Sequence, residues 1–196
     1  MRAEERDVLL HGGAARLRTP LEGDAEAMLA HLRDVCAETH FLERSPGDPM
    51  PTLEDERRFL SLFAQSPDRV MMGVFLDGGL IASASVAPAA MRRKTRHRAE
   101  IGLSVRREYW GQGLGALLME EGIRAARAMG YLRLELAVFA DNERAVRLYE
   151  RFGFTRHGAL PNAFRLEDGT FRDCLLMGLE LQQDEKEDGR IPHDDA

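Results

Sequence analysis

Apolar and polar positions alternate at period two in several short runs of this chain, with helical spacing between them. In residues 99–105, Ile101, Leu103 and Val105 share one face and Glu100, Gly102 and Ser104 the other, which predicts a strand. Arg106 to Tyr109 make a short loop into Trp110-Gly111-Gln112-Gly113-Leu114-Gly115. From Ala116 to Ala128 the chain is rich in Ala, Leu, Met and Glu without proline and reads as helix, stopped by Gly130 as a C-terminal cap. Leu132 to Val138 alternate again. Asp141-Asn142 then cap a helix whose Ala145, Leu148, Tyr149 and Phe152 fall on one face. Gly153 closes it and Phe154 opens the next strand.

The rest of the chain falls around this unit. Met1 to Gly13 is a polar leader without regular spacing, and Ala15 to Arg18 a first strand. Asp24 caps a helix over Ala25–Thr39, and the Pro- and Gly-bearing stretch Phe41–Pro51 is a loop. Thr52 with Asp55 starts a second helix, Leu53–Gln65, with a further carboxylate, Glu56, in its first turn. Two strands, Val70–Leu76 and Leu80–Ala87, are joined by Asp77-Gly78-Gly79, a hairpin signal. Thr155–Leu160 reads as a loop, and Leu175, Met177, Leu179 and Leu181 alternate as a last strand within Phe171–Leu181. No internal repeat is visible.

Length and composition then bound the class. The 196 residues are 44% hydrophobic and 31% charged, enough for one well-cored domain. Cys36 and Cys174 lie far apart in no C-x-x-C pattern, which points to reduced, buried thiols. Early charges leave no signal-peptide core, and no run approaches the length of a membrane span, so the expected location is the cytoplasm. The formal net charge is −6, of which −4 sits in residues 182–196, so residues 1–181 carry −2. That acidic stretch is read as a disordered tail, residues 1–13 as a leader and 14–181 as the folded domain. Nothing in this balance points to nucleic acid.

The glycine turn carries the chemistry. Three alternating glycines before a helix let a ligand approach the backbone, and the outward N–H groups with the helix dipole suit a phosphate or pyrophosphate. A P-loop is excluded, because no Lys-Ser or Lys-Thr follows. A dinucleotide fingerprint needs G-x-G-x-x-G after the first strand, whereas the spacing here is G-x-G-x-G after a later one. Glu135 lies near the distance of a ribose-binding acid, but it belongs to the polar face of a strand.

Val105, the Gly111–Gly115 turn and the block Asn142-x-x-Ala145-x-x-x-Tyr149-x-x-x-Gly153-Phe154 together resemble the GNAT superfamily of acyl-CoA-dependent N-acetyltransferases. The resemblance runs from about residue 15 to 181. Trp110 departs from it, standing where the family usually has Arg or Gln. The fold implied is α/β (α+β), a mixed central sheet of about six to seven strands flanked by about four helices. The cosubstrate implied is acetyl-CoA, held by Val105, Gly111, Gln112, Gly113, Leu114, Gly115 and Asn142. Asn142 also serves as a plain helix cap. The reaction implied is direct attack of a primary amine on the thioester. The family then suggests the Val105 N–H for the thioester oxygen, Tyr149 as acid and Glu100 as base, with His40 and His97 as weaker alternatives.

For the acceptor, residues 158–177 resemble a branch acting on amino acids or related small amines, and share features with branches that acetylate ribosomal proteins and protein N-termini. Asp173 suits either a substrate ammonium or a strand cap. Six of the eight residues Met91–Arg98 are basic or His, which makes either a solvated hairpin loop or a positive lip favouring an anionic acceptor. A CoA-binding sensor without transferase activity would need neither Tyr149 nor Glu100. A sheet edge leaves homodimerisation open.

Overall fold

The computed structural model describes residues 1–10 and 13–181; the expected acidic tail at 182–196 lies outside the described residues. In chain order the strands are β1 (Arg6–Leu10), β2 (Gly13–Arg18), β3 (Val70–Leu76), β4 (Gly79–Pro88), β5 (Arg98–Val105), β6 (Arg133–Phe139), β7 (Thr155–Arg165) and β8 (Phe171–Glu180). The helices are α1 (Ala25–Glu38), α2 (Leu53–Gln65), α3 (Leu114–Ala128) and α4 (Glu143–Arg151). The eight strands make one mixed sheet in the order β1-β2-β3-β4-β5-β6-β8-β7.

All neighbours in that sheet are antiparallel except β5 and β6. Their parallel ladder covers only Arg98–Glu100 against Arg133–Glu135, while β5 runs on to Val105 and β6 to Phe139. Beyond Glu100 the two strands part, and β6 continues against β8 alone. Everything functional below follows from that opening.

Local chemistry explains most of the elements. Asp77 and Gly78 both take positive φ, 49° and 81°, the requirement of the tight turn that joins β3 to β4. Thr52 and Asp55 close a reciprocal cap on α2, and Asn142 Oδ1 accepts from the Ala145 N–H at 3.2 Å to start α4. The main core gathers the sheet interior with α3 and α4, including Leu118, Met119, Leu134 and Met177. A second cluster seats α1 and α2 on Met71, Phe75 and Leu80. Gly122 lets α3 sit close on β5, since a Cβ there would lie 2.4 Å from Ile101 Cδ1.

The mixed sheet is the expected one, with eight strands, slightly above the expected count. Two expectations are corrected. The leader contains β1, an edge strand with Leu9 88% exposed. The segment from Thr155 to Leu160 is the first part of β7 and not a loop. Its exposure on both sides gives no period-two signal, and its register breaks twice, around His157 and around the Pro161–Asn162 stretch, where Asn162 takes a φ of 53°. Cys36 and Cys174 are free and buried, as expected, and burial pushes both thiols up.

Candidate active site

A cleft of about 980 Å³ occupies the place where β5 and β6 part. One side is the glycine turn. Gly111 and Gly113 both adopt φ of 83°, and nothing lies within 4 Å of where either Cβ would point. Only glycine takes this backbone without strain, and the missing side chains leave the turn open to a ligand. The first bond of α3 runs from the Leu117 N–H to the Gly113 carbonyl. The N–H groups of Leu114, Gly115 and Ala116 therefore have no acceptor in the helix and lie at its positive end. Arg144, Arg147 and Arg151 of α4 also line the cleft. Backbone donors, a helix N-terminus and three guanidinium groups make a fit for a phosphate-bearing cosubstrate such as acetyl-CoA.

Trp110 has a specific task. Its Nε1–H donates to the Val105 carbonyl at 2.7 Å, and the guanidinium of Arg144 lies 4.7 Å from its ring centre. The indole thus ties the end of β5 to the turn and holds one cleft arginine. Arg106 donates its N–H to the Ile81 carbonyl on β4. By strand alternation the Val105 N–H points the other way, toward the parted β6.

Tyr149 sits on α4, 8% exposed, with its side chain in the cleft wall. No hydrogen bond to its hydroxyl is present among the described residues, and burial pushes the phenol up to about 12. It is a protonated donor across the whole neutral range.

The structure brings Val105, Gly111, Gly113, Leu114, Gly115, Asn142 and Tyr149 to one cleft. Gln112 is not among the residues that line the cleft; its side-chain amide donates to the Glu108 carbonyl at 3.5 Å. Glu100 is exposed at the end of the β5–β6 ladder and does not line the cleft. It shares a strand face with Gly102 and Ser104, which do. None of Met91–Arg98 lines the cleft. Asp173 accepts the Asn162 N–H at 2.8 Å and so steadies the break in β7. His40 is exposed, 3.3 Å from Asp141, and its ring lies against Phe41. Phe41, Leu42 and Glu43, just after α1, also line the cleft.

Two features at or behind the cleft were not read from the sequence: the Trp110 bond, and a buried His31 bonded to Ser104 at 2.8 Å. The one available signal was a histidine on the apolar stripe of α1, in step with Met28 and Val35.

A glycine turn feeding a helix beside two parted parallel strands defines an acyl-CoA-binding architecture. The sequence model of the acetyltransferase (GNAT) family matches residues 28–154, and the chain belongs to that family. A solved GNAT acetyltransferase from Streptococcus pneumoniae superposes with a TM-score of 0.79 at 32% identity, covering 85% of this chain and 98% of that one. A phosphinothricin acetyltransferase from Sinorhizobium meliloti, solved with acetyl-CoA, shares the fold at TM-score 0.75 and 17% identity, over 85% and 88% of the two chains. The L-amino acid N-acetyltransferase AaaT of Escherichia coli is 26% identical over 115 residues, 58% of this chain and 70% of that protein. The match to another curated relative, YwnH of Bacillus subtilis, spans half of that protein's length at 30% identity over 83 residues.

Proposed function

We propose that this protein moves an acetyl group from acetyl-CoA to the primary amine of a small molecule, an amino acid or similar, by direct attack in a ternary complex. One observation carries the reading. The β5–β6 ladder stops after three residues, and a glycine turn, Val105 at the end of β5 and the Tyr149 side chain line the resulting cleft.

Acetyl-CoA, once bound, supplies the activated acetyl group. The turn and the start of α3 hold its phosphates, helped by Arg144 and Arg147. Val105 offers its N–H to the thioester oxygen, where negative charge grows during attack. Tyr149 donates a hydrogen bond to the departing sulfur. With its phenol pushed up to about 12, full transfer to a thiolate of pKa ~8.5 is uphill. The proton that ends on sulfur is therefore balanced by the one the amine sheds. Before attack, an alkyl ammonium of pKa ~10.4 must lose a separate, earlier proton to become the neutral nucleophile, and it needs a base for that. Glu100 is assigned that role through water: Gly102 lies between it and the cleft, with nothing within 4 Å of its missing Cβ.

Similarity to AaaT supports an amino acid acceptor. A second reading rests on the [ribosomal protein bS18]-alanine N-acetyltransferase of E. coli, 26% identical over 148 residues and 92% of that protein. A cytoplasmic location and pairing of two copies along an exposed sheet edge complete the proposal. Among the described residues no helix is long and apolar enough to cross a membrane. The test is thiol release from acetyl-CoA across amino acids, polyamines, aminoglycosides and N-terminal peptides. Release with amino acids supports the proposal; release with peptides alone selects the second reading, and binding without release selects the sensor.

A further inference from the structure

His31 is 2% exposed and has no part in the transfer chemistry above. It lies under the cleft wall, with its ring between two elements of the sheet. Nδ1 is 3.2 Å from the Leu80 carbonyl. A carbonyl oxygen only accepts, so Nδ1 carries the ring hydrogen. Nε2 then has only a lone pair to offer, and at 2.8 Å it accepts the Ser104 hydroxyl hydrogen. Ser104 Oγ lies 3.2 Å from Ser83 Oγ. With its own hydrogen committed to His31, Ser104 can only accept from Ser83. Each bond therefore sets the direction of the next.

The direction is stable at neutral pH. Burial pulls the imidazole down to about 4; Arg106 adds to that effect, while the Leu80 carbonyl and Asp34 oppose it. Ser83 and Ser104 both line the cleft, side by side on β4 and β5.

We propose that His31 is a positioning residue: it turns the Ser83 and Ser104 hydroxyl hydrogens away from the cleft, so that their lone pairs receive the N–H groups of the acceptor amine. This rests on the acetyl-transfer reading. A carbonyl or carboxylate of the same substrate finds no donor at these two serines, so an amino acid docks here by its nitrogen and not by its acid group. The wall thus selects both a donor-bearing acceptor and its orientation.

The experiment combines steady-state kinetics, with n-butylamine and the best amine of the panel, with calorimetry of acetyl-CoA and ¹⁵N spectra of the histidine rings. Ser104→Ala is expected to raise the amine KM at least tenfold, while the Kd of acetyl-CoA stays within twofold. His31→Leu behaves alike. His31→Gln, whose amide has an N–H for Leu80 and an oxygen for Ser104, returns the KM to within about threefold of the parent. The His31 ring is expected as the neutral Nδ1–H tautomer from pH 5.5 to 8. An unaltered amine KM in Ser104→Ala, an Nε2–H or charged ring at pH 7, or no recovery in His31→Gln overturns the inference alone. A parent enzyme silent with every amine overturns the acetyl-transfer reading and this inference with it.

Discussion

Mild acid should weaken this fold through His31 in particular. The imidazole is held neutral by burial at about 4 in the folded chain, against an ordinary value of ~6.5 when unfolded. A base whose folded pKa is depressed contributes stability that is fully present above the unfolded value. That contribution is lost as pH falls, and is gone below the folded value. Between pH 7 and 5 the linkage relation for these two values gives a loss of about 2 kcal/mol. That is a substantial share of the ~5–15 kcal/mol that holds an ordinary domain together. Carboxylates also titrate as acid is added, so the comparison must be differential. Urea unfolding at pH 7 and pH 5, run on the parent and on His31→Gln, isolates the histidine. The parent should lose about 2 kcal/mol more than the variant over that interval. Equal losses in the two proteins would refute both the buried neutral imidazole and the hydrogen-bond direction derived from it.

Two further substitutions test the packing around the cleft. Gly122→Ala places a methyl 2.4 Å from Ile101 Cδ1, between α3 and β5; a loss of ~1–3 kcal/mol, read as a lower Tm, is expected, and an unchanged Tm would show that α3 does not sit this close. Trp110→Phe keeps a ring for Arg144 but removes the donor to the Val105 carbonyl; the KM for acetyl-CoA should rise about fivefold, the cost of about one hydrogen bond, and no change would deny the indole its part in shaping the turn.

The central strand–turn–helix unit was legible because each element announces itself locally. Alternation marks β5 and β6, an Asn cap marks α4, and glycines mark the turns that need positive φ. The edges were not legible. In β7 nearly every side chain from Thr155 to Asn162 meets solvent, so no hydrophobic period records the strand, and Pro161 argues locally against it. β1 has the same difficulty, since it borders only β2. At the site, the turn, Val105, Asn142 and Tyr149 are placed by motifs whose spacing fixes their geometry. Glu100 was read from its place on the polar face of β5 together with the family resemblance, and neither says how far along the strand the cleft extends. The His31–Ser104 contact joins residues 73 positions apart. No local pattern encodes it; only the packing of α1 onto β4 and β5 brings the two together.

Tyr149→Phe tests the central claim most directly, because it removes one oxygen from the cleft and nothing else. Burial already keeps the ring in place, so the variant should bind acetyl-CoA by calorimetry within about threefold of the parent. Its kcat for thiol release with the best amine should fall about a hundredfold, within the range expected for loss of a general acid or hydrogen-bond donor. Parent-like turnover in Tyr149→Phe would contradict the account, because the departing sulfur would then need nothing from Tyr149.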